Sequence, residues 1–275
     1  MRIDILTAFP GVFAGPFGES IVGRACRQDL VDVFVHDLRA FTMDRHKTVD
    51  DYAYGGSPGM VLKAEPICRG VKHIRRQVDE ASRASRADQV DTSSRTDQAD
   101  EPSGADRTDR SRTVLLSAGG RPFVQDTARS FAELDQLVLI CGHYKGVDER
   151  VATGLGAEEY SVGDFVVTGG EIPAMMVADA VIRLLPGVLG EMASAVTDSH
   201  YEGLLGNAVY TRPENYQEWR VPEVLLSGHH GRIERWERQD ALKKTYQHRP
   251  ELLETVELTG EDMTYLRTLQ QDENG

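Results

Sequence analysis

Five short runs dominated by Val, Ile and Leu alternate with helix-patterned stretches up to about residue 185, and this alternation constrains the fold more than any other feature. The runs cover residues 2–9, 31–35, 113–117, 137–141 and 161–167, and the helical stretches cover 19–28, 65–78, 125–133 and 174–185. Apolar runs of that length, rich in branched side chains, predict short buried strands. Strands separated by helices imply an α/β domain with a mainly parallel sheet covered on both faces. In open sheets of this kind ligands gather beyond the carboxyl ends of the strands.

Two glycine turns fall at those ends. Cys141-Gly142-His143-Tyr144-Lys145-Gly146-Val147-Asp148-Glu149-Arg150 follows the fourth run. Ser161-Val162-Gly163-Asp164-Phe165-Val166-Val167-Thr168-Gly169-Gly170-Glu171-Ile172-Pro173-Ala174 contains the fifth. Gly169 and Gly170 lack a Cβ, so the backbone there can turn sharply and lie against a flat ligand. Pro173 suits the first turn of the helix that follows, where its missing N–H costs nothing. A lone Gly-Gly pair more often marks an ordinary strand-to-helix turn. Two such turns at strand ends point instead to a ligand pocket.

Residues 79–112 are mostly Ala, Ser, Thr, Arg, Asp and Gln, with almost no large apolar side chain. Such a segment cannot bury enough surface to offset the entropy of ordering, and it is expected to be a flexible insertion. The strand pattern ends after Pro186-Gly187-Val188-Leu189-Gly190. Residues 191–210 read as a polar linker, and helices are expected at 222–226, 231–244, 250–253 and from 260 onward. A region that small gains little core of its own and is expected to pack on a neighbour or a partner subunit.

Hydrophobic residues make up 40% of the chain and charged residues 27%, the balance of a soluble globular protein. No apolar run approaches the length of a membrane span, and residues 1–6 show no secretory pattern, so a cytoplasmic location is expected. Cys26, Cys68 and Cys141 are odd in number, widely spaced and without a metal-ligand pattern, which fits reduced thiols with structural roles. A net charge of −13 argues at face value against a nucleic-acid partner. The distribution weakens that objection. Residues 212–249 hold eight Lys and Arg against six Asp and Glu, plus His229, His230 and His248, whereas 251–273 hold seven acids and only Arg267.

The glycine turns, together with His46-Lys47-Thr48-Val49-Asp50-Asp51-Tyr52-Ala53-Tyr54-Gly55-Gly56-Ser57-Pro58-Gly59-Met60 and Tyr210-Thr211-Arg212-Pro213-Glu214, closely resemble one family. It is the bacterial tRNA (guanine-N1)-methyltransferases, commonly called TrmD. The similarity runs from residue 1 to about 253, interrupted near 79–112. It implies a SPOUT-type parallel sheet with a deep trefoil knot over residues 1–190, a linker over 191–210 and a C-terminal helical tRNA-binding domain over 211–275. It also implies a homodimer with shared active sites, S-adenosylmethionine as methyl donor, an association with magnesium, and N1 of the guanosine at tRNA position 37 as target.

By the same resemblance the donor pocket contains Leu115, Ser117, Gly142, Tyr144, Gly169, Gly170 and the run Val162, Gly163, Asp164, Phe165, Val166 and Val167. Asp50, Tyr54, Gly55 and Gly59 would lie near the target guanosine and its 5′ neighbour. Arg212 and His229 would serve the tRNA. No metal ligand is assigned, since Asp50 and Asp51 are adjacent and would point apart in an extended chain.

The resemblance makes Asp198 and Arg183 the catalytic residues, and the chemistry suits them. Guanine N1 carries a hydrogen at neutral pH and becomes a nucleophile only as that proton leaves, a task for a carboxylate. The negative charge then left on O6 calls for a fixed cation such as a guanidinium. Three positions depart from the family pattern. Lys145 stands where the family usually has an acid, Ala53 where it has Pro, and Ser57 where it has Gly. Two rival readings remain at this point: another SPOUT methyltransferase with a different RNA target, and a non-catalytic RNA-binding protein on the same scaffold. The intact pair Arg183 and Asp198 argues against the second, and Lys145 argues for it.

Overall fold

The computed structural model describes residues 1–92, 110–190 and 198–273, which divide into unit 1, Met1–Leu189, and unit 2, Gly190–Gly275. In chain order, unit 1 begins with β1 (Arg2–Thr7), α1 (Ser20–Arg27), β2 (Asp32–Asp37), β3 (Asp50–Tyr52), β4 (Met60–Leu62) and α2 (Ala64–Thr92). It continues with β5 (Ser111–Pro122), α3 (Gln125–Ala132), β6 (Gln136–Cys141), α4 (Arg150–Leu155), β7 (Glu158–Ser161) and α5 (Glu171–Ile182). Five strands pair in the order β2-β1-β6-β5-β7, all parallel.

Side chains alternate across a strand, so a central parallel strand must feed two cores. β6 does so. Leu137, Leu139 and Cys141 join the cluster that includes Ala25 of α1, Phe131 of α3 and Val177 and Val181 of α5. Val138 and Ile140 join Ile67, Val71 and Ile74 of α2 and Val151 of α4 on the other face. The three α2 residues recur at helical spacing and form one stripe. Burying each such side chain stabilises the fold by about 1.5–3 kcal/mol.

Three features differ from the sequence reading. The fifth strand is Glu158–Ser161, and residues 162–167, read as its apolar body, form an irregular segment instead. Its register explains the exchange: after a bulge between Leu116 and Arg121, β5 pairs Arg121 with Tyr160 and Pro122 with Ser161, and the ladder stops there. Second, α2 continues to Thr92, beyond the boundary at 78. Ala and Arg, which recur in residues 79–92, are good helix formers and continue the helix once a packed stripe has nucleated it. Strand β5 begins at Ser111, so the expected flexible insertion overlaps ordered elements at both ends, and 93–109 lie outside the described residues. Third, β3 and β4 form a small antiparallel hairpin that periodicity did not reveal.

Unit 2 contains a hairpin of β8 (Asn215–Tyr216) and β9 (Trp219–Arg220), then α6 (Glu223–Leu226), α7 (His230–His248) and α8 (Gly260–Glu273). Gln217 and Glu218 join the two strands with φ of 49° and 72°, the left-handed pair that matches strand twist in two-residue hairpins. Leu204, Leu242 and Leu266 form a small core with Tyr246, Leu253, Val256 and Leu258 packed around it. Thr259 and Asp262 cap α8 reciprocally: the Asp262 amide donates to Thr259 Oγ1 over 3.2 Å, and the Thr259 amide donates to Asp262 Oδ2 over 3.0 Å. This is a capping box, and Arg238 Nη2 of α7 donates to the same carboxylate at 2.8 Å.

The stretch read as a linker is in part tied to this unit. The Leu205 amide donates to buried Thr245 Oγ1 at 3.0 Å, and the Ala208 amide to Asp240 Oδ2 at 2.6 Å. Among the described residues no helix is long and apolar enough to cross a membrane.

Candidate active site

A cavity of about 320 Å³ opens at the middle of β5 and the carboxyl ends of β6 and β7 in unit 1. Its wall comes mainly from three stretches, Leu115–Gly119, Gly142–Val147 and residues 159–162 with 165–170, joined by Glu149, Ala152 and Pro173. Of the twelve residues expected at a donor pocket, ten line it; Gly163 and Asp164 belong to the third stretch but stay off the wall. Lys145, Glu149 and Glu159 are its charged lining residues apart from His143.

The two glycine turns are stitched together. His143 pairs with Gly169 in an isolated antiparallel bridge, and the Gly170 amide donates to the Gly142 carbonyl at 2.6 Å. A Cβ on Gly170 would stand 2.7 Å from the Gly142 nitrogen and 2.8 Å from Cys141 Cα, so only glycine fits. Phe165 is 55% exposed and Val166 86%, which leaves an apolar rim on this loop. Ser161 Oγ donates to the Gly163 carbonyl at 2.8 Å and accepts from its amide at 3.2 Å, closing the turn out of β7. On the other turn, Asp148 accepts from Arg150 Nε and Nη2 at 2.8 and 2.6 Å. Those hydrogen bonds hold the Asp148 carboxyl below its ordinary value.

Beneath this junction lies a buried polar group that the sequence reading missed. Glu171, 6% exposed, accepts from Thr7 Oγ1 at 2.7 Å, and its other oxygen faces His143 Nδ1 at 3.7 Å. Cys141 sits beside them: burial pushes its thiol well above the usual value, and the Glu171 charge adds to the effect. The available signal was Glu171 itself, the one acid between two glycines and an apolar helix.

The expected target-binding residues Asp50, Tyr54, Gly55 and Gly59 lie on the β3–β4 hairpin of unit 1. Tyr54 is 99% exposed, and Gly55 and Gly59 hold φ of 81° and 101°, values that favour glycine. This hairpin is joined to the second cavity-lining stretch: the Lys145 amide donates to the Met60 carbonyl at 2.9 Å, and the Leu62 amide donates to the Gly146 carbonyl at 3.0 Å. Arg183 caps the C-terminus of α5, half-buried. Asp198 is exposed in unit 2, where its backbone carbonyl accepts from the Tyr201 amide at 3.2 Å. Arg212 and His229 are also exposed in unit 2, His229 immediately before α7. Among the described residues no group of three or more His, Cys, Asp or Glu is gathered to hold a metal ion.

Residues 1–255 match the family described as tRNA (Guanine-1)-methyltransferase TrmD. Relatives carrying the name tRNA (guanine-N(1)-)-methyltransferase cover nearly the whole chain. One from Desulforudis audaxviator is 49% identical across 98% of this chain and 96% of its own length. One from Desulforamulus reducens is 44% identical across 98% and 95%, and one from Enterococcus faecalis is 41% identical across 99% of each.

Proposed function

Because the chain belongs to the tRNA (guanine-1)-methyltransferase TrmD family, we propose that it methylates N1 of the guanosine at position 37 of tRNA, using S-adenosylmethionine. The observation that carries the donor half of this reading is the cavity lined by ten of the twelve expected residues. Its volume of about 320 Å³ is of the size that small-molecule sites have. The glycines at 142 and 170 let the two turns that line the cavity pack against their neighbours closer than a Cβ would allow, which fixes the shape of its wall. When bound, the donor supplies an electrophilic methyl group on a sulfonium.

The chain's own residues do the rest. Asp198 takes the N1 proton of guanine and pairs with the N1–H and N2–H edge that distinguishes this base. Arg183 stabilises the negative charge that develops on O6. The β3–β4 hairpin receives the extruded nucleotide, since a base in the anticodon-loop stack cannot be reached without leaving it. Tyr210, Trp219, Arg212 and the arginines of α7 suit RNA phosphates and stacked bases, and unit 2 serves as the helical tRNA-binding domain.

The 162–170 segment, which returns against Gly142, forms the deep trefoil knot of the SPOUT fold in this reading. The protein works as a homodimer, with the donor pocket of one subunit completed by Asp198 of its partner, in the cytoplasm where tRNA is modified. The test is direct: purified protein, S-adenosylmethionine and an unmodified tRNA transcript should yield 1-methylguanosine, found by nucleoside digestion. A transcript with adenosine at position 37 should yield none. Modification of both transcripts, or of neither, overturns the assignment.

A further inference from the structure

We infer that Lys145 recognises the α-carboxylate of the methyl donor and so selects a donor with an intact amino-acid end. The inference rests on the donor reading above. Among the described residues lining the cavity, Lys145 is the only lysine or arginine, and the other fixed charges are Glu149 and Glu159. Its side chain is exposed and belongs to the cavity lining, where a ligand can meet its charge. Its root is held firmly: the Lys145 amide is bonded to the Met60 carbonyl at 2.9 Å, and a Cβ at Gly59 would stand 3.5 Å from Lys145 Cβ.

Polarity along the cavity sets the direction of the ligand. Leu115 and Leu116 of β5 and Pro173 and Gly170 at the start of α5 are buried. Tyr144, Lys145 and Val166 are exposed at the rim. A flat, largely apolar base is stabilised at the buried end, and a zwitterionic amino-acid group keeps more of its hydration at the rim. Of the donor's three charges, the sulfonium and the ammonium are cations that a lysine repels, and only the carboxylate is an anion it attracts. A rim lysine facing that carboxylate makes a charge-assisted hydrogen bond.

The experiment is calorimetric titration of wild type, Lys145→Gln and Lys145→Arg with S-adenosylmethionine and with its decarboxylated analogue. Lys145→Gln should weaken S-adenosylmethionine about ten-fold, as loss of one charge-assisted hydrogen bond does. It should leave the analogue within two-fold or so of wild type, as expected for a group that meets only the carboxylate. Lys145→Arg should restore the preference for the carboxylated ligand. Equal losses for both ligands, or no loss for either, overturn the inference. So does a loss confined to tRNA binding with a flatter salt dependence, which would assign Lys145 to an RNA phosphate. Failure of wild type to bind S-adenosylmethionine at all would sink the donor reading and this inference with it, an outcome the wild-type titration alone reveals.

Discussion

The amide of Gly170 donates a 2.6 Å hydrogen bond to the carbonyl of Gly142, joining the start of α5 to the end of β6 backbone to backbone. Gly170 cannot carry a side chain into that contact without moving main-chain atoms, and a Cβ on Gly142 would stand 3.0 Å from the Leu116 carbonyl oxygen. Gly170→Ala would set a methyl 2.7 Å from the Gly142 nitrogen, and strain of that kind costs about 1–3 kcal/mol. We expect a lower melting temperature and loss of donor binding by calorimetry. Gly119→Ala, whose nearest neighbour would be Ser117 Oγ at 3.8 Å, is the matched control and should melt close to wild type. Equal behaviour of the two variants would remove the special status of the junction.

The alternation of apolar runs with helices was enough to read the parallel sheet, because buried strands carry little besides branched apolar side chains. The same rule misplaced β7. Of the run 162–167, Val162 packs against the core, while Phe165, Val166 and Val167 are exposed along the cavity; the strand itself is Glu158-Glu159-Tyr160-Ser161, in which Glu158 and Glu159 are only half-buried. Hydrophobicity marks a surface that will be covered, whether by core or by ligand, and periodicity cannot tell the two apart. Glu171 escaped notice for the converse reason. A buried carboxylate looks like a surface residue until its partner is known, and Thr7 lies 164 positions away. The polar stretch near Asp198 reads as a linker because the groups that order it, Thr245 and Asp240, belong to a distant helix.

Asp198→Ala should abolish methyl transfer while leaving donor affinity nearly unchanged, because its carboxylate is assigned to the substrate proton. General-base catalysis contributes about 10²–10⁴-fold, so single-turnover rates on tRNA should fall by at least two orders of magnitude, on the order of that range. Near-normal single-turnover chemistry in this variant would leave the base unassigned.

Subunit mixing tests the shared site. Arg183→Ala and Asp198→Ala chains should each be inactive alone. A dimer containing one of each would hold one site with both residues intact and one with neither, so activity should return on mixing. If mass spectrometry shows that subunits exchange while the mixture stays as inactive as either parent, the two residues act within one chain.

Unit 1 should also show a defined acid sensitivity centred on Asp4. Its carboxylate, fully buried in β1, accepts from Arg2 Nε and Nη2 at 2.8 and 2.7 Å, His36 Nε2 lies 2.8 Å away, and Gln136 Nε2 donates at 2.8 Å. Burial raises the carboxyl, but the hydrogen bonds from His36, Arg2 and Gln136, together with the charge of Arg2, outweigh it and hold Asp4 below its ordinary value. A carboxyl whose folded pKa is depressed adds stability above its unfolded value, near about 3.9, and that contribution disappears as pH falls through the lower folded value. Asp4→Asn should therefore destabilise unit 1 by about 1–3 kcal/mol at neutral pH, the cost of disturbing a buried charged hydrogen-bond group. The gap to wild type should close below about pH 4. Both tryptophans, Trp219 and Trp236, lie in unit 2, so fluorescence would follow the wrong unit. Hydrogen exchange of the β1 and β2 amides, measured across that pH range, reports the effect directly. A difference that stays constant into the acid range would mean that Asp4 acts through packing and not through its charge.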